Sequence, residues 1–393
     1  MKMTAAVMYE QGLQRPFSES RPLKIETVDL DGPGEGEVLV QIAAAGLCHS
    51  DLSAIKGLRP RAMPTVVGHE AAGVVVETGT GVSKFVTGDH VVMVFVASCG
   101  RCSYCSSGRP NLCQSSWKAR SEGTLQSGAR RLRINGKPLN HYSGISAFAQ
   151  YAVVSETSLV KIPKALPLPL AAIFGCAVIT GVGAVLNTAR DVAGKSIAIV
   201  GLGGIGLSAL LGAVLGGART IIAFDTKPSK LELARELGAT HVFLGSDPDC
   251  VAKIKEVTGG GVDYAMEMAG GIAALTLAYA VGRRGNTTIC AGLPPHDATF
   301  PIRPAELVSD ERVIMGSYMG SSVPQRDIPH YAEQFMAGKL PVDRLLTVQL
   351  SFDQLNAGFD KLDDGEVVRQ ILRCSHKSLR DKAALPIPTN WLS

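Results

Sequence analysis

Residues 197–218 form an uncharged run of 22, and by length alone such a run could span a membrane. Its contents say otherwise. Seven of the 22 are glycine, and Ile197, Ile199 and Val200 make 197–200 a β-branched run suited to a buried parallel strand. A span with a GxxxG-like face is the rival reading. The pattern downstream decides against it, because strand and helix periods alternate. A helix is predicted over 205–215, a strand over 220–224 ending at Asp225, and a helix over 228–237. Pro228 sits near the start of that helix and Gly238 is placed to cap its end. A strand at 241–244, a helix near 249–257 stopped by glycines 259–261, and a strand at 262–268 follow. Then come a helix around 272–281, a strand at 286–291 and a last strand near 312–317. Six strands with intervening helices predict an α/β doubly wound parallel sheet over residues ~178–319. Upstream, short strands at 38–44, 73–77 and 90–95 are separated by Gly, Pro and Asp turns, which predicts a largely antiparallel β domain over 1–176. The α/β domain is thus an insertion, and the chain is expected to return to the first domain after about residue 320. There is no internal repeat and no low-complexity tract.

The predicted strand at 197–200 leads into Gly201-Leu202-Gly203-Gly204-Ile205-Gly206, a G-x-G-x-x-G. Alone this motif is weak. Between a strand and a helix, with Asp225 nineteen residues beyond Gly206, it is the dinucleotide fingerprint. Gly201 allows the tight turn, Gly203 lets the backbone approach a pyrophosphate, and Gly206 lets helix and strand pack closely. The helix N-terminus faces the phosphates. The Asp225 carboxylate accepts hydrogen bonds from ribose hydroxyls and repels a 2′-phosphate, so NAD is favoured over NADP. By itself Asp225 would be read as a solvated strand-end acid; the turn reverses that.

Composition narrows the function classes. A chain of 393 residues predicts two or three domains. With 46% hydrophobic and 19% charged residues it is globular. The net charge, 39 − 35 = +4, is diffuse, so neither nucleic acid nor an anionic membrane surface has electrostatic support as a partner. Residues 1–12 carry no apolar run with a small-residue cleavage site, which argues against secretion and for a cytoplasmic setting. In a reducing compartment, clustered cysteines are read first as metal ligands.

Of nine cysteines, four fall within fifteen residues as Cys99-x2-Cys102-x2-Cys105-x7-Cys113. Four thiolates at this spacing suit a closed, tetrahedral structural zinc site. An iron–sulfur run ends in a shorter gap and a Pro, which this one lacks. Buried unliganded thiols do not fit either, because Arg101, Ser103, Ser106, Ser107 and Arg109 make the loop polar, and Gly100, Gly108 and Pro110 supply its turns. Two further constellations stand in the β domain, Gly46-Leu47-Cys48-His49-Ser50-Asp51 and Gly68-His69-Glu70-Ala71-Ala72-Gly73, and Cys176 lies at the junction with the α/β domain. Cys48, His69 and Cys176 would make a three-ligand zinc site with an open fourth position. Taken singly, each has an ordinary reading as a buried thiol or a core histidine.

These motifs, in this order and at these spacings, resemble the zinc-dependent medium-chain alcohol dehydrogenases. The resemblance covers residues ~5–372 and includes the segment between Cys113 and Cys176 found in dimeric long-loop members. It implies a Rossmann doubly wound, six-stranded parallel sheet inserted into a GroES-like, mostly antiparallel β catalytic domain. The implied divisions are 1–177, with a zinc lobe at 97–115, then 178–319, then 320–393 including a C-terminal tail.

The resemblance also implies roles. Cys48, His69 and Cys176 would hold a catalytic zinc, with Glu70 behind it as a transient ligand, and Cys99, Cys102, Cys105 and Cys113 a structural one. Asp51 would accept the second N–H of His69 and fix its tautomer. Zinc would act as a Lewis acid on an alcohol, and NAD would take the hydride. Ser50 would start a proton relay; Ser53 stands where many relatives carry a histidine, so a water chain is expected to finish it. His49 and Arg369 would contact the pyrophosphate, Thr180 the nicotinamide face, and Lys230 would join Asp225 at the ribose, or is simply an exposed helix lysine. The pocket would be lined by Arg59, Phe95, Trp117, Tyr142, Leu293 and Tyr318.

Four of those six are aromatic, against 5% of the chain, which points to a primary aromatic, bulky or long-chain alcohol and its aldehyde. Arg59 allows a substrate with a carboxylate or several oxygens, or is simply a solvent-facing rim residue. The alternative on the same scaffold is a glutathione-type formaldehyde dehydrogenase. Those proteins carry an acid where Arg59 stands and an arginine where Trp117 stands, so an anionic thiol adduct would lose its cation here. Zinc-free enone or quinone reductases, and structural or redox-sensing proteins, are disfavoured because Cys48, His69, Cys176 and Ser50 are all present. A homodimer is expected, paired through an edge strand near 300–317, with a tetramer as the alternative. Cys250, Cys290 and Cys374 read as ordinary thiols in a helix, a strand and the tail, and Pro386, Pro388 and Trp391 of that tail would pack on a neighbour or stay disordered. The physiological alcohol, the favoured direction and the stereochemistry are not encoded in these motifs.

Overall fold

The structure is a computed structural model that describes residues 1–374. Pro386, Pro388 and Trp391 lie outside the described residues. The chain forms two compact units. Among the described residues, one comprises Met1–Gly175, Leu346–Asp364 and 370–374; the other comprises Cys176–Leu345 and Gly365–Arg369.

The second unit holds six parallel strands in the order His241–Leu244, Thr220–Asp225, Ser196–Val200, Val262–Glu267, Gly282–Cys290, Val313–Gly316. This is the doubly wound sheet expected, and its strand order reverses beside Ser196–Val200, where such sheets bind ligands. Ala198, Val200, Ile222, Phe224, Ile254, Ala265 and Ala278 pack in one cluster against it. The uncharged run is therefore core: Leu207, Leu210 and Leu211 of helix Gly204–Leu215 are buried. No single helix among the described residues is long and apolar enough to cross a membrane.

This unit continues beyond residue 319, and the chain rejoins the first unit only at Leu346. Helix Pro324–Met336 accounts for the difference, with Ile328, Tyr331 and Ala332 buried. A polar anchor fixes it. Asn187 Nδ2 donates to Asp327 Oδ2 and to Ser322 Oγ, both at 3.1 Å.

The first unit contains a closed five-stranded barrel of Lys2–Met8, Leu23–Leu30, Leu132–Ile134, Lys137–His141 and Thr65–Val66. Val7, Val28, Leu30, Val66, Leu132 and Leu139 fill it. Beside it lies a seven-stranded sheet ordered Leu159–Lys161, His90–Met93, Ala71–Thr78, Glu37–Gly46, Arg369–Arg373 and Leu346–Leu350, with Tyr151–Ser155 also pairing on Glu37–Gly46. Three features of this sheet set up chemistry. Strand Glu37–Gly46 ends at Gly46 beside Ile371, and the Leu47 N–H is held by the Gln370 carbonyl at 3.0 Å. Ala71–Thr78 begins directly after His69-Glu70. Strand His90–Met93 stops short of the expected residue 95, so Phe95 leaves the ladder. Cys374, expected in a tail, is instead buried, with its N–H 3.2 Å from the Ala43 carbonyl.

Candidate active site

Cys48 caps the N-terminus of helix His49–Ile55 with extended backbone. Asp51, in the first turn, ties two neighbours together. One carboxylate oxygen accepts the Cys48 N–H at 3.3 Å, and the other lies 2.8 Å from His69 Nδ1. Asp51 and His69 are both buried. Burial raises the Asp51 pKa while His69 pulls it down. For His69, burial opposes protonation, but the Asp51 carboxylate outweighs it and lifts the imidazole well above its ordinary range. Because Nδ1 faces Asp51, Nε2 is the ring nitrogen presented to a metal.

The ligand atoms of Cys48, His69, Glu70 and Cys176 all lie within 4.8 Å of one another, and all four residues are buried. Glu70 reaches this cluster across Gly46, where a Cβ would fall 2.0 Å from its Oε1. Two thiols and an imidazole, with a carboxylate in reserve, are a donor set that zinc fits, with a position left for substrate.

The ligand atoms of Cys99, Cys102, Cys105 and Cys113 likewise lie within 4.8 Å of one another. Backbone donors serve the sulfurs: Cys99 N–H to Cys113 Sγ at 3.3 Å and Cys102 N–H to Cys99 Sγ at 3.4 Å. Cys99 is drawn down to about 6, because the backbone N–H groups of Arg101 and Cys102 outweigh its partial burial. Burial pushes Cys105 up to about 12. Sulfurs held by N–H donors in a closed set of four suit a structural zinc.

Around His69, Phe95 packs edge-on with ring centroids 5.2 Å apart, and Tyr142 tilts against it at 6.1 Å. The buried Tyr142 hydroxyl donates to the Ser50 carbonyl at 3.0 Å. Burial raises its pKa and Asp51 adds to the rise, while Arg61 and Arg120 oppose it. The Ser53 hydroxyl is spent on the His49 carbonyl at 2.8 Å. His49 itself is exposed, and Ser50 and Arg59 are half-buried. Trp117 is 69% exposed, and the Arg120 guanidinium lies over its ring at 5.9 Å and over Phe95 at 4.9 Å. The Arg61 guanidinium covers Tyr142 at 5.4 Å. The expected loss of a cation at Trp117 is thus offset by Arg120 one helical turn on. Sequence reading passed over both arginines, although the i, i+3 spacing of Trp117 and Arg120 was the available signal.

In the second unit, Gly201 has φ +95°, and a Cβ on Gly206 would fall 1.7 Å from the Gly201 carbonyl oxygen. At Gly203 a Cβ would meet nothing among the described residues, which is room for a phosphate. Gly204 and Ile205 open helix Gly204–Leu215. A Cβ on Gly204 would lie 2.0 Å from Arg369 Nε, so that buried arginine lies against the helix N-terminus. The Asp225 carboxylate accepts the Leu202 N–H at 2.7 Å and the Lys227 N–H at 3.0 Å. Lys230, expected to join Asp225 at the ribose, is half-buried. Buried Thr180 donates to Met319 Sδ at 3.8 Å. Tyr318 opens the turn Tyr318–Ser321, and Leu293 is 51% exposed. These features fit a dinucleotide at the turn.

Comparison with known proteins agrees with this geometry. The alcohol dehydrogenase GroES-like domain matches residues 34–164, and the zinc-binding dehydrogenase domain matches residues 204–337. A relative from Photobacterium damsela subsp. piscicida, an S-(hydroxymethyl)glutathione dehydrogenase, is 38% identical over 95% of this chain and 100% of its own. The structure of an alcohol dehydrogenase zinc-binding domain protein from Burkholderia ambifaria superposes with a TM-score of 0.90 at 37% identity, covering 96% of this chain and 100% of its own. Benzyl alcohol dehydrogenase from Acinetobacter calcoaceticus superposes with a TM-score of 0.89 at 32% identity, covering 95% and 100%.

Proposed function

The chain belongs to the zinc-dependent medium-chain alcohol dehydrogenases, built for two zinc ions and a nicotinamide cofactor, and from that premise we propose that it oxidises a primary aromatic or bulky alcohol reversibly to its aldehyde with NAD. The observation that carries this reading is the pair of rings, Phe95 and Tyr142, flanking the ligand His69. Flat rings favour a flat substrate. The likeness to a benzyl alcohol dehydrogenase supports the same choice.

Cys48, His69 and Cys176 would hold the catalytic zinc, which when bound supplies Lewis acidity toward the alcohol oxygen. Asp51 keeps Nδ1 of His69 occupied and so aims Nε2 at the metal. Ser50 would receive the substrate proton. Ser53 offers no ring nitrogen to pass it on as a histidine would, and its hydroxyl already donates to the His49 carbonyl, so a water chain would carry it out. The Asp225 carboxylate, fixed by two backbone N–H groups at the strand end, supports NAD over NADP. Val313–Gly316 is the edge strand of its sheet, with Val313 and Met315 exposed, which supports a homodimer through that edge, a tetramer being the other form. The nine cysteines are free of disulfides, which fits a reducing, cytoplasmic setting.

A second reading, oxidation of S-(hydroxymethyl)glutathione, draws support from Arg120 and from the relatives of that name. One experiment separates the two: kcat/KM for aryl, allylic and alkyl alcohols and for S-(hydroxymethyl)glutathione, each with NAD and with NADP. An aryl alcohol with NAD should lead. A tenfold lead for the glutathione adduct favours the second reading, and no turnover of any of them by the zinc-loaded protein overturns both.

A further inference from the structure

Two guanidinium groups stand one ring away from His69, on different elements. Arg120 lies between Phe95 and Trp117, and Arg61 lies over Tyr142. Each is built in. Arg120 sits on helix Gln114–Glu122, whose Trp117 N–H is tied to the Cys113 carbonyl at 3.1 Å, so the four-cysteine lobe anchors it. Arg61 rides on a loop pinned by the Gln11 side chain. Gln11 donates to the carbonyls of Ala54 at 2.5 Å and Arg59 at 3.0 Å, and it accepts the Arg61 N–H at 2.9 Å. Arg61 Nε is buried without a hydrogen-bond partner, and no carboxylate among the described residues pairs with its guanidinium. A guanidinium with a buried nitrogen left unpaired is costly, and it invites an anion from outside the chain. The planar fork of a guanidinium matches a carboxylate in two-point contact.

Resting on the reading of the chain as a zinc alcohol dehydrogenase, we propose that Arg61 and Arg120 form a subsite for a carboxylate carried by the substrate, about a ring's width from the reacting carbon. The substrate is then an alcohol or aldehyde whose skeleton bears an anion. An aromatic carboxylate and the carboxylates of a glutathione adduct share this chemistry. Another role is open to the same two groups, namely offsetting the negative charge of Asp51 and Glu70. That role would affect neutral and anionic substrates alike.

The test compares benzyl alcohol, 4-(hydroxymethyl)benzoate and S-(hydroxymethyl)glutathione with the zinc-loaded full chain and its R61Q, R120Q and R120K variants. For at least one carboxylate substrate, R61Q and R120Q should lower kcat/KM about 10- to 100-fold, the worth of a charge-assisted contact, mainly through KM. Benzyl alcohol should change less than about threefold, and R120K should recover part of the loss. The substrate that responds identifies the source of the carboxylate. Equal losses for benzyl alcohol, or carboxylate substrates indifferent to both variants, overturn the subsite. Failure of the underlying reading looks different, since the wild-type protein would then turn over none of the three.

Discussion

Asp51 Oδ1 stands 2.8 Å from His69 Nδ1, with both side chains out of water. On the proposed reading, the contact leaves Nδ1 to the acid and Nε2 to the metal. Asp51→Asn should keep the fold but weaken this hold. Zinc affinity and kcat/KM are expected to fall about 10- to 100-fold, the usual effect of losing a group that orients a ligand histidine. Zinc retained against a chelator as in the wild type would contradict the assignment.

The four-cysteine lobe makes a separable prediction. Cys99→Ser should remove one of the two zinc ions per chain and lower the apparent Tm, while NADH binding to the Gly-rich turn persists. Metal analysis together with cofactor fluorescence titration checks both parts. Two zinc ions retained by the variant would exclude Cys99 as a ligand.

His141 supplies a pH dependence. It is buried, and its Nε2 accepts the Arg131 N–H at 3.0 Å. Burial holds it down to about 4, with Arg130 and Arg131 adding to the effect and Glu37 opposing it. Between about pH 6.5 and pH 4 the unfolded chain therefore binds a proton that the folded chain refuses. Stability from this residue is complete above the unfolded pKa and drains away as pH falls, by up to about 3 kcal/mol. His141→Gln, which retains an acceptor for Arg131, should flatten the fall in urea midpoint between pH 7 and pH 4 relative to wild type. Parallel curves for the two proteins would dismiss the claim.

On the proposed reading, the choice of NAD over NADP rests on Asp225. Asp225→Ser removes the charge facing a 2′-phosphate and is expected to shift the NAD-to-NADP ratio of kcat/KM at least about tenfold toward NADP. A wild-type preference for NADP would show that the carboxylate does not set the choice.

Much of this was legible in the chain because its signals are local. Val200, Gly201 and Asp225 lie within one strand–turn–helix–strand unit, so periodicity and a glycine pattern sufficed to place them. The barrel was harder. Lys137–His141 contains Pro138, which weakens a strand reading, and Thr65–Val66 is too short to show a period. Arg61 and Arg120 escaped notice for a different reason: charged residues in a loop and on a short polar helix look solvated until tertiary packing lays them over Tyr142 and Phe95. The return of the chain at Leu346, later than residue 320, depends on Asn187 and Asp327, 140 positions apart, and no sequence window spans that.

The pairing of Ile371 with Gly46 has a consequence for synthesis. A ribosome adding about 5–20 residues per second reaches Ile371 tens of seconds after Gly46 has emerged. Through that interval the end of Glu37–Gly46, at residues 44–46, waits for its second neighbour, and the Leu47 N–H lacks the Gln370 carbonyl that later pins it beside Cys48. A nascent chain halted between Cys176 and strand Arg369–Arg373 would hold all eight candidate zinc-binding side chains and still lack the clasp that sets Cys48 in place. Such fragments should be slow to acquire metal and prone to stray strand pairing. The hydrogen bond that holds Leu47 beside Cys48 is thus among the last contacts of the first unit that synthesis makes available.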